Sequence, residues 1–367
     1  MSSLISKYLK FIIFLVVLSA CSLKPTEPKL ILTKSSWDNI IFWSNDKHLE
    51  AFRPFLNSCE QFKKLPASKN ISNNFNAGSV SDWLSICDLA NSSNIDSDFK
   101  AKLFFENYFN PYSVKSNDQD QGLFTGYYEI DLTGSLKQSD KYKYPIYKSP
   151  KELNLPKYYL ERKHLNNGFL TGRNLELLYV DNEVDLFFLH IQGSGKVYLD
   201  DGSIVRVGYS AQNGHPYIAI GKYLISDLKI DRKLINADFI RNWLSSYKSG
   251  PELMELNPSY VFFKINDNIA PIGSFGNILT PERSLAVDKK FIPLGVPLWL
   301  ETTYPADKNN IILPFHKLVI AHDTGGAIKG IVRGDVFFGN GNIARYYASN
   351  MKQQGRYFIL LPKSISH

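Results

Sequence analysis

The sequence predicts a mainly β protein with its helices gathered towards the N-terminus, an α+β chain. Three observations carry this. Helical patterning fills much of 38–110. From about residue 122 the texture changes to short β-rich runs broken by Gly, Asn and Asp. Aromatic residues make up 14% of the chain, a supply that suits strands. A hydrophobic content of 44% is that of a folded globular protein, and 367 residues exceed one ordinary core, so two domains are expected.

Residues 1–21 read as an export signal. Lys7 and Lys10 supply a positive start, residues 11–18 a short apolar run, and Ser19-Ala20 the small residues before Cys21. The apolar run is shorter than the about 20 residues a membrane span needs. Leu18-Ser19-Ala20-Cys21 resembles the bacterial lipobox, which implies that Cys21 is acylated and anchors the chain to a membrane without crossing it. Ser22 in place of Asp implies the periplasmic face of the outer membrane; an uncleaved signal anchor is the alternative. Residues 22–36 are polar and read as a tether. Beyond Cys21 only Cys59 and Cys87 remain, and a disulfide or two buried thiols fit equally.

The elements follow in order. Asp98 opens a helix of strong formers that stops at Asn110-Pro111. Strands are expected at 123–130, 175–180, 185–192, 196–199 and 203–207, with Asp200-Asp201-Gly202 as a hairpin turn between the last two. Helical patterning returns at 236–248 and ends at Gly250-Pro251. Strands resume at 260–265, 284–287, 298–301, 317–321, 328–332, 336–338 and 357–361. The formal net charge of +7 falls to about five without Lys7 and Lys10. No run of Lys or Arg is longer than two, so no nucleic-acid partner is expected; an anionic polymer of the cell envelope fits better, and a merely soluble surface better still.

Chemistry concentrates in the C-terminal third. Asp323-Thr324-Gly325-Gly326 and Arg333-Gly334-Asp335-Val336-Phe337-Phe338-Gly339 place two aspartates twelve residues apart. Glycines let a backbone turn with positive φ and approach a ligand closely. A carboxylate raised there, beside Lys329 and Arg333, can do acid or base chemistry; an Asp that only caps a β-turn is the bland alternative. Phe124-Thr125-Gly126-Tyr127-Tyr128-Glu129 sets flat tyrosines around one glycine, suited to sugar faces or to an ordinary half-buried strand. Glu129 is either a second reactive carboxylate or a charge on the wet face. His190-Ile191-Gln192-Gly193-Ser194-Gly195 offers donors and acceptors beside small residues, but matches neither a nucleophile elbow nor a phosphate loop. Asp288 is a third aspartate in this region. His316, His322 and Asp323 match no metal-ligand spacing, and no metal or other cofactor is expected.

Taken together, 124–129, 190–195, 258–263, 283–295 and 323–339 resemble, in order and spacing, the membrane-bound lytic murein transglycosylase A family. Asp288, Asp323 and Asp335 look like the three aspartates that name its C-terminal block. The resemblance spans roughly 120 to 365 and implies a double-psi β-barrel catalytic domain, with an inserted β-domain across a glycan groove. The implied division is signal 1–21, tether 22–36, helical part and first catalytic segment 37–128, inserted domain 129–265 and second catalytic segment 266–367.

The implied activity is that of a peptidoglycan lytic exotransglycosylase, a carbon–oxygen lyase leaving 1,6-anhydro-N-acetylmuramic acid ends. The resemblance places the catalytic acid at Asp335, with Phe337 and Phe338 as desolvating walls and Asp323 as helper. It implies substrate contacts at Thr125, Tyr128, Gln192, Gly193, Ser194 and Lys329, and structural support from Asp288 and Ser284. Peptidoglycan strands, a membrane reached through the anchor, and wall-remodelling proteins are the implied partners. A hydrolase of the same fold, with Asp323 or Glu129 as base, and a non-catalytic wall-binding protein are the competing readings.

Overall fold

The computed structural model describes residues 27–154, 159–306 and 311–365. The expected signal and Cys21 lie outside them. Among the described residues no helix is long and apolar enough to cross a membrane. The expected tether is shorter than its polarity suggested. Leu30–Lys34 forms strand β1, antiparallel to β2 (Phe109–Ser116), with Leu30 and Leu32 packed on the core. β2 was itself missed, because Asn110-Pro111 reads as a stop and continues here as strand.

Helices α1 (His48–Phe62), α2 (Val80–Ser92) and α3 (Asp98–Tyr108) bear out the helical N-terminal part. Ala51, Phe52, Phe55, Cys59 and Phe62 put one apolar stripe of α1 into the core. Ser79 and Asp82 form a capping box on α2, and Ser97 caps α3. Cys59 and Cys87 are joined in a disulfide, which resolves the alternative left open by the sequence and ties α1 to α2.

Strand β3 (Gly122–Ser135) belongs to two sheets. From Ile130 onward it pairs with β6 (Ser194–Leu199), in an inserted sheet that also holds β4 (Tyr144–Tyr147), β5 (Glu176–Val180), β7 (Ile204–Gln212) and β8 (Val261–Ile265). Their order is β4-β5-β3-β6-β7-β8, and a bridge between Lys148 and Phe263 brings the two edges together. The insertion carries helices α4 (Glu183–Gln192) and α5 (Ala237–Ser246). The strand expected at 185–192 is therefore helix α4. Asn182 accepts from the N–H groups of Val184 and Asp185, and Gly193 ends the helix with φ of 79°. The apolar run between them concealed both signals.

The first half of β3 lies in a barrel with β9 (Ser284–Val287), β10 (Pro297–Pro305), β11 (Ile312–Asp323), β12 (Arg333–Asn340) and β13 (Lys352–Pro362). Pairing runs β3-β12-β9-β11-β10-β13, and Lys352–Gly355 of β13 returns to β3 and closes the ring. The β3–β12 and β9–β11 pairs are parallel, the others antiparallel. Closure leaves these six strands no free edge and fits the expected barrel. Helix α6 (Gly341–Asn350) packs on β3 and β12. The strand expected at 328–332 is a loop, whose Ile328, Ile331 and Val332 are buried without pairing.

Arg283 locks the N-terminal part onto this barrel. It is 2% exposed and donates to Asp46 at 2.7 and 2.8 Å, to Glu50 at 3.0 Å, and to the carbonyls of Lys47 and Leu318. Asp46 also accepts from the Leu318 N–H. Arg283→Met strands the Asp46 carboxylate in the interior and is expected to cost about 3 kcal/mol. Urea unfolding measures this, and Asp46→Asn added to Arg283→Met recovers part of the loss.

Candidate active site

Asp335 lies mid-strand on β12, opposite Thr125 of β3 and Ala286 of β9. The Thr125 hydroxyl donates to Asp335 Oδ1 at 2.5 Å. Arg333, two residues back on β12, donates from Nη2 to Thr125 Oγ1 at 2.7 Å and from Nη1 to the carbonyls of Leu123 and Gly334. A Cβ at Gly126 would come within 2.6 Å of the Phe338 ring, so only glycine fits between Thr125 and Tyr127. Phe337 packs on Tyr127 with centroids 5.2 Å apart, and both rings are buried behind the aspartates.

Asp323 ends β11 and is held differently. Its Oδ1 accepts from the N–H of Ser274 at 2.9 Å, the Ser274 hydroxyl at 2.7 Å and the Thr324 N–H at 2.8 Å. Its Oδ2 accepts from the Tyr127 hydroxyl at 2.9 Å. Thr125 and Tyr127 are two apart on β3 and so share a face, which directs one hydroxyl to each aspartate. The D-T-G-G turn corrects one expectation. Gly325 and Gly326 are absent from the positive-φ glycines, and a Cβ at Gly326 would meet nothing nearer than Gln212 Oε1 at 3.9 Å. Neither glycine makes a left-handed turn; Gly326 leaves space, while a Cβ at Gly325 would press on Ile328 Cγ1 at 3.1 Å.

Burial raises the pKa of both carboxyls. At Asp335 burial is opposed by the Arg333 cation and the Thr125 hydrogen bond and reinforced by the Asp323 charge. At Asp323 burial is opposed by the hydrogen bonds from Ser274, Thr324 and Tyr127. Four donors reach Asp323 and one reaches Asp335, whose burial is opposed first by the Arg333 cation. Each donor favours the charged form of the carboxyl that accepts it. Tyr127 is pushed well above its ordinary pKa, by burial and then by the Asp323 charge, and stays a donor.

The remaining expected residues divide. Asp288 is buried and accepts from the N–H groups of Lys290 at 3.1 Å and Gly330 at 2.8 Å, tying the loop after β9 to the one before β12. Ser284 accepts from the Thr280 N–H and meets His322 Nδ1 at 2.9 Å. Gln192, at the end of α4, accepts the Tyr128 N–H through Oε1 at 3.0 Å. Tyr128 and Ser194 are buried, Gly193 caps α4, and Lys329 is exposed. Glu129 is buried against Arg206 at 3.1 Å and opposes Asn340, further along β3 than Thr125. Sequence reading missed Ser274, named Arg333 only as a cation beside the aspartates, and named Tyr127 only among tyrosines suited to sugar faces. The period-two spacing of Thr125 and Tyr127 carried a signal for Tyr127; nothing marked Ser274, in a loop far from Asp323 along the chain. Among the described residues no cluster of His, Cys, Asp or Glu is placed to hold a metal.

Comparison with known proteins bears directly on this site. Residues 123–264 match the family model described as the MltA specific insert domain, and 283–361 match the 3D domain. The membrane-bound lytic murein transglycosylase A of Vibrio cholerae is 34% identical over 247 residues, covering 66% of each chain. A homolog in Buchnera aphidicola is 32% identical over 268 residues, 71% of this chain and 70% of that one. The matched segment thus spans about two thirds of these curated relatives' lengths. A membrane-bound lytic murein transglycosylase from Agrobacterium tumefaciens superposes with a TM-score of 0.81 at 28% identity, covering 91% of this chain and 98% of that one.

If Asp323 is the charged member, Asp323→Asn removes a like charge and lowers the Asp335 pKa. Carboxyl 13C shifts followed through a pH titration test this. An Asp335 pKa that stays or rises contradicts the division of charge.

Proposed function

The chain belongs to the membrane-bound lytic murein transglycosylase A family, and we propose that it cleaves the β-1,4 bond between N-acetylmuramic acid and N-acetylglucosamine in peptidoglycan, leaving 1,6-anhydro ends. The observation that carries this reading is the unequal pair, Asp335 with one donor beside Asp323 with four, which we read as proton carrier and anion.

The unequal pair suits a reaction in which one carboxyl serves twice. Asp335 gives its proton to the glycosidic oxygen as the C1–O bond breaks. Positive charge developing at C1 is stabilised by the Asp323 carboxylate, whose geometry Ser274, Thr324 and Tyr127 fix beforehand. The C6 hydroxyl of the same muramic acid then bonds to C1 and returns its proton to Asp335. No water is consumed, and the intramolecular nucleophile gains from proximity. A hydrolase of the two-carboxylate kind needs a free base for water. Asp323 is filled with donors and Glu129 is paired with Arg206, which favours the transglycosylase.

Thr125 and Gln192 are assigned to the substrate side of the groove: Gln192 spends its carbonyl on Tyr128 and keeps its amide NH2 for a ligand. Lys329 is exposed and suits an anionic substituent. Division into an inserted domain over 129–265 and a barrel around it follows the change of partners along β3. Anchoring through an acylated Cys21 at the outer membrane's periplasmic face completes the reading.

Asp335→Asn is expected to abolish release of anhydro-muropeptides from purified sacculi while glycan binding persists. Product mass separates the two chemistries, since an anhydro end is lighter than a reducing end by one water. Wild-type activity falls as pH rises through the raised Asp335 pKa, because the acid form starts the reaction. Full activity in the Asn variant removes the assignment.

A further inference from the structure

The reaction requires one oxygen of Asp335 to carry the proton. We propose that Arg333, acting through the Thr125 hydroxyl, directs that proton to Asp335 Oδ2. The inference rests on reading Asp335 as the acid, and makes Arg333 a positioning residue.

The argument runs through donors and acceptors. A guanidinium has N–H donors and no acceptor, and stays charged. Arg333 Nη2 donates to Thr125 Oγ1 at 2.7 Å, so the hydroxyl hydrogen must point elsewhere. Asp335 Oδ1, 2.5 Å away, is where it goes. An oxygen that accepts this hydrogen keeps its lone pair along that line. The acid proton then sits on Oδ2, which gives it to the glycosidic oxygen and recovers it from the C6 hydroxyl. Without Arg333 the Thr125 hydroxyl is free to turn over and accept instead, and the proton of Asp335 can settle on Oδ1, facing the protein.

The fork of Arg333 is itself fixed. Nη1 donates to the carbonyls of Leu123 and Gly334, which keeps the guanidinium from swinging onto the carboxyl. The hydrogen bonds of Arg333 go to Leu123, Gly334 and Thr125, and its charge reaches Asp335 through space. The interposed hydroxyl explains the use of such an arrangement. A direct Arg–carboxylate pair lowers the carboxyl pKa by about 1–3 units and removes the acid at neutral pH. Through Thr125 the cation sets direction and lowers the pKa less. The other groups around Asp335 do not replace it. Asp323 from β11 is an acceptor already filled, and the Tyr127 hydroxyl from β3 is committed to Asp323. β9 presents Ala286 at this register, and Lys352 of β13, opposite Thr125, is exposed.

The test measures anhydro-muropeptide release from sacculi against pH, using the full chain. Variants are Thr125→Val, Thr125→Ser, Arg333→Met and Arg333→Met with Thr125→Val. The cation and the hydroxyl each favour the carboxylate form, so their loss raises the Asp335 pKa and moves the alkaline limb up. Each of Thr125→Val and Arg333→Met is expected to lower kcat by on the order of tenfold to a hundredfold and move the limb up by up to about one unit. The double variant should lose little more kcat than either single one, because both break one relay. Thr125→Ser keeps the hydroxyl and restores the limb. Limb position is read from the profile's shape and does not depend on how much protein folds. Additive losses of kcat in the double variant, or an unmoved limb in Arg333→Met, overturn the relay. Asp335→Asn, assayed alongside, separates the two claims: retained activity there sinks the acid assignment itself, whereas an inactive Asn variant with an unmoved Arg333→Met limb sinks only the relay.

Discussion

Strand β3 is a single extended segment shared between two sheets, and the site depends on its register. Thr125 and Tyr127 face the two aspartates from one side of the strand. The N–H of Tyr128 binds Gln192 of the insertion, and Glu129 takes Arg206 from β7. Because side chains alternate across a strand, a slip of one residue would turn both hydroxyls away from both carboxyls at once. The register is held by sterics as well as hydrogen bonds. A Cβ at Gly122 would overlap the Val332 carbonyl at 1.7 Å, and one at Gly134 would press on the Tyr179 carbonyl at 2.7 Å. Glycines at both ends of the strand thus admit the neighbouring chains that fix its place.

From this register comes the inequality between two carboxyls that composition cannot distinguish. Both are half-buried at the barrel wall, and burial alone would favour protonating each. What separates them is the count and kind of donors. Asp323 collects backbone N–H groups and hydroxyls that have no better acceptor, while Asp335 is given one hydroxyl and a cation held off by that hydroxyl. A charge on Asp323 then works against a second charge on Asp335. In the proposed reaction this inequality suits one group to be a fixed anion and the other a proton carrier that recovers its proton.

Much of this was legible in the sequence where local pattern and function coincide. The span 284–287 was read to the residue, since a four-residue apolar strand bounded by Arg283 and Asp288 admits little else. Asp323, Asp335 and Thr125 could be singled out from motifs. The failures share a cause: long-range context outweighed local pattern. The apolar run 186–189 fits a strand or a buried helix, and only Asn182 and Gly193 decide for α4. Leu30-Ile31-Leu32 is a short apolar run set between polar residues, and it becomes strand where β2 offers it an edge. Arg333 resembled an accessory cation beside an aspartate. Its connection to Asp335 runs through Thr125, more than two hundred residues earlier, and exists only once β3 and β12 lie parallel.

The helical N-terminal part was the least diagnostic segment by sequence, yet contacts reach from it to the end of β11 that carries Asp323. His322 is buried between Ser58 of α1, at 3.0 Å from Nε2, and Ser284 of β9, at 2.9 Å from Nδ1. Burial holds its pKa down to about 3, so it stays neutral and works as a hydrogen-bonding link with no charge of its own. Its carbonyl accepts from the Phe275 N–H at 3.0 Å, and the Phe275 ring packs on Phe62 of α1 with centroids 5.2 Å apart. Ser274, between Gly273 and Phe275, is thereby held where both its N–H and its hydroxyl meet Asp323. An ionised histidine at this position would place a cation beside Asp323, whose charge raises the Asp335 pKa. Neutrality at His322 and charge at Asp323 are therefore linked requirements. The fold meets both by burying the first among uncharged hydroxyls and surrounding the second with donors.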